Sequence, residues 1–260
     1  MRWCRFRVGD RVRYGVVEGE AVVEVAGSPF TRYRRTGRTY PLRNVKLLVP
    51  VVPPTFYAAG INYRRHVEEM AALAGRAPQY PEKPDVGYRA NNALIAHEEP
   101  IIIPKDSSGD VHYEAELVAV VGRRAKNLSR EEALGCVLGY TIGNDVSERT
   151  WQRQDRTLWR AKNTDTFKPM GPWIVTGLDP TKLHVTVRLS GRVVSEFDTE
   201  KMIFDIATYL STMSRYLTLE PGDVLWTGTD NLTGPMRPGE VCEIEVSGIG
   251  VLRNPVVAEA

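Results

Sequence analysis

The run Tyr113-Glu114-Ala115-Glu116-Leu117-Val118-Ala119-Val120-Val121-Gly122 is apolar, rich in β-branched residues and closed by glycine, which predicts a strand buried within a sheet. Successive side chains on a strand point to opposite faces, so Glu114 and Glu116 emerge on the same face, roughly 7 Å apart at their bases. Two unneutralised carboxylates facing a partly buried pocket repel and carry a desolvation cost. The fold must therefore bring positive charge to them. Asp145 supplies a third carboxylate; it follows the short, glycine-punctuated apolar run Leu138–Asn144 and is expected at a strand end, where function gathers. Three anionic oxygen donors suit a hard divalent cation, Mg²⁺ first, with Mn²⁺ or Ca²⁺ as alternatives. His112 shares the strand parity of the two glutamates and is a further nitrogen donor, although packing or hydrogen bonding is its simpler role. An isolated Glu-x-Glu is more often a solvated edge strand, and it is the apolar context that argues otherwise here.

The rest of the chain points to a mostly β fold with a few helices (α+β). Residues 1–50 alternate apolar and polar positions, as in Arg11–Val17 and Ala21–Val25, and predict a small β-rich N-terminal domain. Pro50-Val51-Val52-Pro53-Pro54 forms an extended boundary before a larger domain over 51–260. Within it a helix is expected over Tyr63–Ala74, capped by Asn62 and stopped by Gly75. The proline-bearing stretch Gly75–Lys83 is expected to be a loop that closes over substrate. A second helix starts at Ser129, where Ser129 and Glu132 make a capping-box pattern. A third is expected near Glu200–Tyr216, with an apolar stripe at Ile203, Ile206, Leu210 and Met213. No regular βαβ series appears, which excludes Rossmann and (β/α)₈ architectures.

Charge and cysteine content narrow the function classes. With 34 basic and 32 acidic residues, the formal charge is +2, and no basic block marks a nucleic-acid or membrane partner. Cys4, Cys136 and Cys242 are too scattered for a disulfide framework or a zinc site. The chain has no signal-peptide core and no apolar stretch of spanning length, so a cytoplasmic location is expected.

Further chemistry gathers around the carboxylates. His66 and Glu69 are three apart on the first helix and share a face; a carboxylate on one imidazole nitrogen raises the basicity of the other, a pairing that activates water. His66, Met70 and Leu73 also form a helical stripe, so a packed histidine is the competing reading. Lys162 lies in Trp159–Trp173, where a lysine near a metal steadies an enolate or binds a carboxylate. Arg149 and Gln152 follow Asp145 by one and two helical turns.

Taken in order, these segments resemble the fumarylacetoacetate hydrolase family. The match runs from about Pro54 to Val257 through Gly60-Ile61-Asn62-Tyr63, His66 and Glu69, Tyr113–Leu117, Gly139–Ser147 with Arg149 and Gln152, Lys162 with Asp165-Thr166-Phe167, Gly171-Pro172-Trp173, Leu219–Asp223 and Thr227-Gly228-Thr229. The resemblance implies a mixed β-roll catalytic domain, a homodimer, and Mg²⁺ or a similar ion on Glu114, Glu116 and Asp145. It implies His66 and Glu69 as a water-activating dyad, Lys162 and Gln152 as oxyanion or substrate contacts, and Arg149, Thr229 and Tyr63 as substrate contacts. The implied reaction is metal-dependent hydrolysis of a carbon–carbon bond in a 2,4-dioxo acid such as an acylpyruvate. Decarboxylation of an oxaloacetate-like acid, and isomerisation or hydration of a dienoate, are alternatives on the same constellation, and a metal-stabilised binding protein without turnover is the non-enzymatic one. Two stretches depart from the family pattern: Asp230–Pro235 stands where a proline and a glycine-rich turn are usual, and Val86–Asn92 stands where a phenylalanine shortly precedes a lysine. Both are expected to border the substrate.

Overall fold

The computed structural model describes residues 1–230 and 233–260; Asn231 and Leu232, inside the departing segment Asp230–Pro235, lie outside the described residues. The fold is mostly β with five α-helices among the described residues, as the strand-dominated sequence requires. One large sheet runs in the order Arg34–Pro41, Ala21–Ala26, Arg11–Glu18, Arg2–Val8, Lys168–Val175, Val137–Asn144, Ala115–Val121, Val224–Trp226, Phe56–Ala59, Val86–Tyr88. A second sheet orders Arg192–Asp198, His184–Leu189, Val241–Val246, Gly250–Ala258 and Ile101–Ile103. The largest apolar cluster contains Leu117, Ala119 and Ile142 of the first sheet and Val185, Ile244 and Leu252 of the second.

The strand Ala115–Val121 is buried along its whole length, which explains why its sequence is a continuous apolar run rather than an alternating one. Its antiparallel partner Val137–Asn144 sets Ala115 opposite Asn144 and Glu116 opposite Gly143. The sheet does not stop at residue 50: Arg2 and Trp3 pair with Val175 and Ile174, so the N-terminal strands extend the large sheet.

The helices differ from expectation in their ends. The first spans Arg64–Leu73 with Tyr63 at its N-cap and no side-chain cap. Asn62 performs a different task, donating its amide to the carbonyls of Phe204 (3.1 Å) and Thr227 (2.9 Å) and accepting from the Phe204 N–H (3.0 Å). The Ser129–Glu132 capping box forms, on a helix of Arg130–Ala133 only. The helix expected near residues 200–216 begins at Ile206, because Asp205 caps it by accepting from Thr208 N–H at 2.8 Å. No helix among the described residues is long and apolar enough to cross a membrane.

Candidate active site

The three carboxylates meet where the two central strands of the large sheet end. Glu114 immediately precedes Ala115–Val121 and Asp145 immediately follows Val137–Asn144, so the antiparallel register sets them side by side. The Asp145 N–H donates to the Glu114 carbonyl at 2.8 Å, and the Glu114 N–H to Asn144 Oδ1 at 2.9 Å. Glu114, Glu116 and Asp145 are all buried, and one oxygen of each lies within 4.8 Å of the others.

Four cations surround them. Lys162 Nζ bridges Glu114 Oε2 (2.5 Å) and Asp145 Oδ2 (3.1 Å), and Arg149 reaches Glu114 Oε1 at 2.7 Å. Arg89 meets Asp145 Oδ2 at 2.8 Å and Lys168 meets Asp145 Oδ1 at 2.8 Å. Glu116 is served differently: among the described residues no ion pair reaches it, and its Oε2 accepts the Gly228 N–H at 2.7 Å. Gly228 has φ +86°, and a side chain there would meet Asn62 Cβ at 3.2 Å, so glycine is what lets that backbone approach.

The titration behaviour follows from this arrangement. Burial, then the charges of Asp145 and Glu114, push Glu116 up to about 8. Burial also works against ionised Glu114 and Asp145, but cations outweigh it: Lys162 and Arg149 hold Glu114 below the usual carboxylate range, and Arg89, Lys162 and Lys168 hold Asp145 well below it. Burial brings Lys168 down to about 8, with Asp145 opposing. The donor set fits a hard divalent ion: three buried carboxylate oxygens converge, and one of the carboxylates makes no ion pair among the described residues. Glu114, Glu116 and Asp145 are the residues that would hold it.

A cleft of about 270 Å³ opens over the cluster and is lined by the three carboxylates together with His66, Asp85, Arg89, Arg149, Gln152, Lys162 and Thr229. The fold thus brings eight of the ten expected residues to one cavity, and two fall elsewhere. Tyr63, expected to touch substrate, is fully buried off the cleft and packs edge-on against Phe197 at 5.3 Å; its place as first-helix N-cap turns it into the core. Glu69, expected to partner His66 in the cleft, does not line it and is ion-paired with Arg65 at 2.8 Å. His112 takes the hydrogen-bonding role, with Asp110 Oδ1 at 2.9 Å and Thr233 Oγ1 at 3.0 Å. Gln152 accepts from Arg149 at 2.7 Å within the short helix Arg149–Gln154, and the Arg149–Glu114 pair joins that helix to the cluster. Sequence reasoning missed Arg89 and Lys168. Lys168 had a signal: a lysine between Phe167 and Met170 in an otherwise apolar strand needs a buried anion.

Comparison with known proteins gives this geometry a lineage. Residues 55–257 match the family described as Fumarylacetoacetate (FAA) hydrolase C-terminal, and residues 1–50 match Rv2993c-like, N-terminal. The chain belongs to the fumarylacetoacetate hydrolase family. Protein Rv2993c of Mycobacterium tuberculosis is 39% identical, covering 99% of this chain and 98% of that protein. The crystal structure of 5-carboxymethyl-2-hydroxymuconate delta-isomerase from Mycobacterium smegmatis is 40% identical over the full length of both chains, with a TM-score of 0.90. Maleylpyruvate hydrolase from Sphingobium sp. SYK-6, solved with manganese(II) and pyruvate, is 25% identical over the full length of both chains, with a TM-score of 0.81. Isomerases and hydrolases thus share this family fold.

Proposed function

We propose that the chain is a divalent-metal-dependent enzyme acting on 2-oxo acids through their enol form, and that its reaction is a 1,3-proton shift in an unsaturated oxo diacid. The observation that carries this reading is Lys162, held at 2.5 and 3.1 Å between two of the three converging carboxylates. A cation fixed beside a metal-binding cluster is placed to meet negative charge that develops on a substrate's 2-oxygen.

The cleft residues supply the remaining parts. His66 lines the cavity and is the proton carrier in this reading. Gln152 and Thr229 offer neutral polar groups to the carboxylate next to the oxo group, while Arg89 and Arg149 bring guanidinium forks suited to a second carboxylate. A divalent ion on Glu114, Glu116 and Asp145 would supply chelation of the oxo-carboxylate end and an electron sink. The full-length likeness to an isomerase supports the proton shift.

Carbon–carbon hydrolysis of a 2,4-dioxo acid is the second reading, favoured by the likeness to the manganese- and pyruvate-bearing hydrolase. Full-length likeness at 40% identity to the isomerase, against 25% to the hydrolase, makes isomerisation the leading reading. The test is to follow the dienol ultraviolet band of a 2-hydroxymuconate-type diacid, and that of an acylpyruvate, with Mg²⁺ or Mn²⁺ and after chelation, while assaying pyruvate. Metal-dependent loss of the dienol band without pyruvate release is the expected result, with Lys162→Met slower by about 10²- to 10³-fold. Release of pyruvate and a second acid would move the assignment to the hydrolase, and turnover indifferent to chelator would remove both.

A further inference from the structure

Lys168 stands apart from the other cations of the site. It opens the strand Lys168–Val175, its side chain is 0% exposed, and it does not line the cleft. Its ammonium meets Asp145 Oδ1 at 2.8 Å and donates to the carbonyls of Phe167 (2.8 Å) and Val146 (2.9 Å). An ammonium has three N–H donors, and here all three are used, so Lys168 has nothing left to offer substrate. Asp145 is thereby held from two sides. Lys168 holds Oδ1 from beneath as a fixed internal charge, while Arg89, which reaches Oδ1 at 3.1 Å and Oδ2 at 2.8 Å, and Lys162, on Oδ2, face the cleft.

The charge balance gives this arrangement a consequence. Arg89, Arg149, Lys162 and Lys168 are set against Glu114, Glu116 and Asp145, so four cations already face the three carboxylates before any metal arrives. Like charges a few ångströms apart in a desolvated interior repel strongly. We infer that Lys168 is a built-in counter-cation for Asp145, which keeps the carboxylate cluster assembled without metal and weakens the cluster's hold on a divalent ion, making the metal exchangeable. The inference rests on the carboxylates being the metal site. It makes Lys168 a positioning residue, one that acts on the metal through Asp145 and never touches substrate.

The test is a Mn²⁺ titration of the full chain, read by the electron paramagnetic resonance signal of free Mn²⁺, for wild type, Lys168→Met and Arg89→Gln, with thermal melts in chelator and in saturating Mn²⁺. Removing either cation is expected to tighten Mn²⁺ binding by at least about tenfold. Lys168→Met should melt lower than wild type in chelator and recover most of that loss in Mn²⁺. A lysine with a purely structural role would lower both melts alike and leave the affinity unchanged. Unchanged or weaker Mn²⁺ binding by Lys168→Met overturns the inference while leaving the metal site standing. If Lys168→Met fails to fold, Arg89→Gln decides: tighter binding supports the charge balance, and equal or weaker binding refutes it. Absence of Mn²⁺ binding in wild type and variants alike removes the metal reading and the inference together.

Discussion

Glu116 is the carboxylate of the cluster that receives a backbone N–H and no ion pair among the described residues, and its behaviour with pH follows from that. Burial and the neighbouring carboxylates raise it to about 8 in the metal-free fold, from an ordinary value of 4.5. Between those values the folded protein holds a proton that the unfolded chain has lost, so the contribution of Glu116 to stability is full below about pH 4.5 and is lost as pH rises through about 8. Glu114 and Asp145 are shifted the opposite way and stay ionised across this window. Chelator-treated protein should therefore melt progressively lower from pH 6 to 8, and Glu116→Gln should flatten that slope; a wild-type melt that rises over the window would contradict the assignment. Because a metal must displace the proton, Mn²⁺ affinity should climb over the same range. The carboxylates were legible from strand parity and a strand end alone. Lys168 and Arg89 were not, because what identifies them is a partner 23 or 56 positions away in sequence. Tyr63 misled for a related reason: it sits in a motif that borders the cleft, but motif membership does not say which way a side chain points.

Among the elements, the contact between Val137–Asn144 and Val224–Trp226 fixes where Glu116 stands. Gly143 lies opposite Glu116 in the register, and a Cβ at Gly143 would fall 2.6–2.8 Å from three ring carbons of Trp226. Trp226 is fully buried and packs against Phe56 at 5.0 Å, so its ring has no room to retreat. Gly143→Ala should cost about 1–3 kcal/mol by overpacking, measured by denaturant unfolding, and should weaken Mn²⁺ binding by displacing the strand that carries Glu116. A variant as stable as wild type would mean that the tryptophan can shift. The sequence announced the first of these strands through the apolar run Leu138–Asn144 but said nothing of the close approach, because a glycine in a strand marks a bulge, a bend or a neighbouring ring equally well. The helix ends were legible only where the cap is local. Ser129 and Glu132 bond each other three residues apart, whereas Asn62 looked like a cap and instead ties the Phe204 and Thr227 backbones, partners that no spacing rule could supply.

At the scale of the molecule, the N-terminal strands and the catalytic sheet form one hydrogen-bonded surface with a shared core. Trp3 is 3% exposed and clusters with Val16 and Val25 of its own unit and with Met170, Ile174 and Trp226 beyond residue 50. Cys4, Phe6, Val17 and Val22 form a second cluster, lying within residues 1–50 and joined by Leu47 and Trp173. We propose that residues 1–50 are a domain by sequence but not a separate unit of stability: the four buried side chains of that cluster make a small core for a unit of that length, and the joint at Trp3 supplies the rest. Calorimetry should then show a single transition for the whole chain. Trp3→Ala should lower that transition by roughly 10 °C, from a cost of about 3–5 kcal/mol spread over a chain of this size. The joint packs the same strand face that carries Glu116, through Val118 and Val120, so the loss should propagate to the active site as weaker Mn²⁺ binding near the new midpoint, with normal binding well below it. Two resolved transitions in wild type, or a Trp3→Ala variant that splits one into two with the upper transition unmoved, would show that the catalytic sheet is stable without its N-terminal extension and that residue 50 is a boundary in energy as well as in sequence.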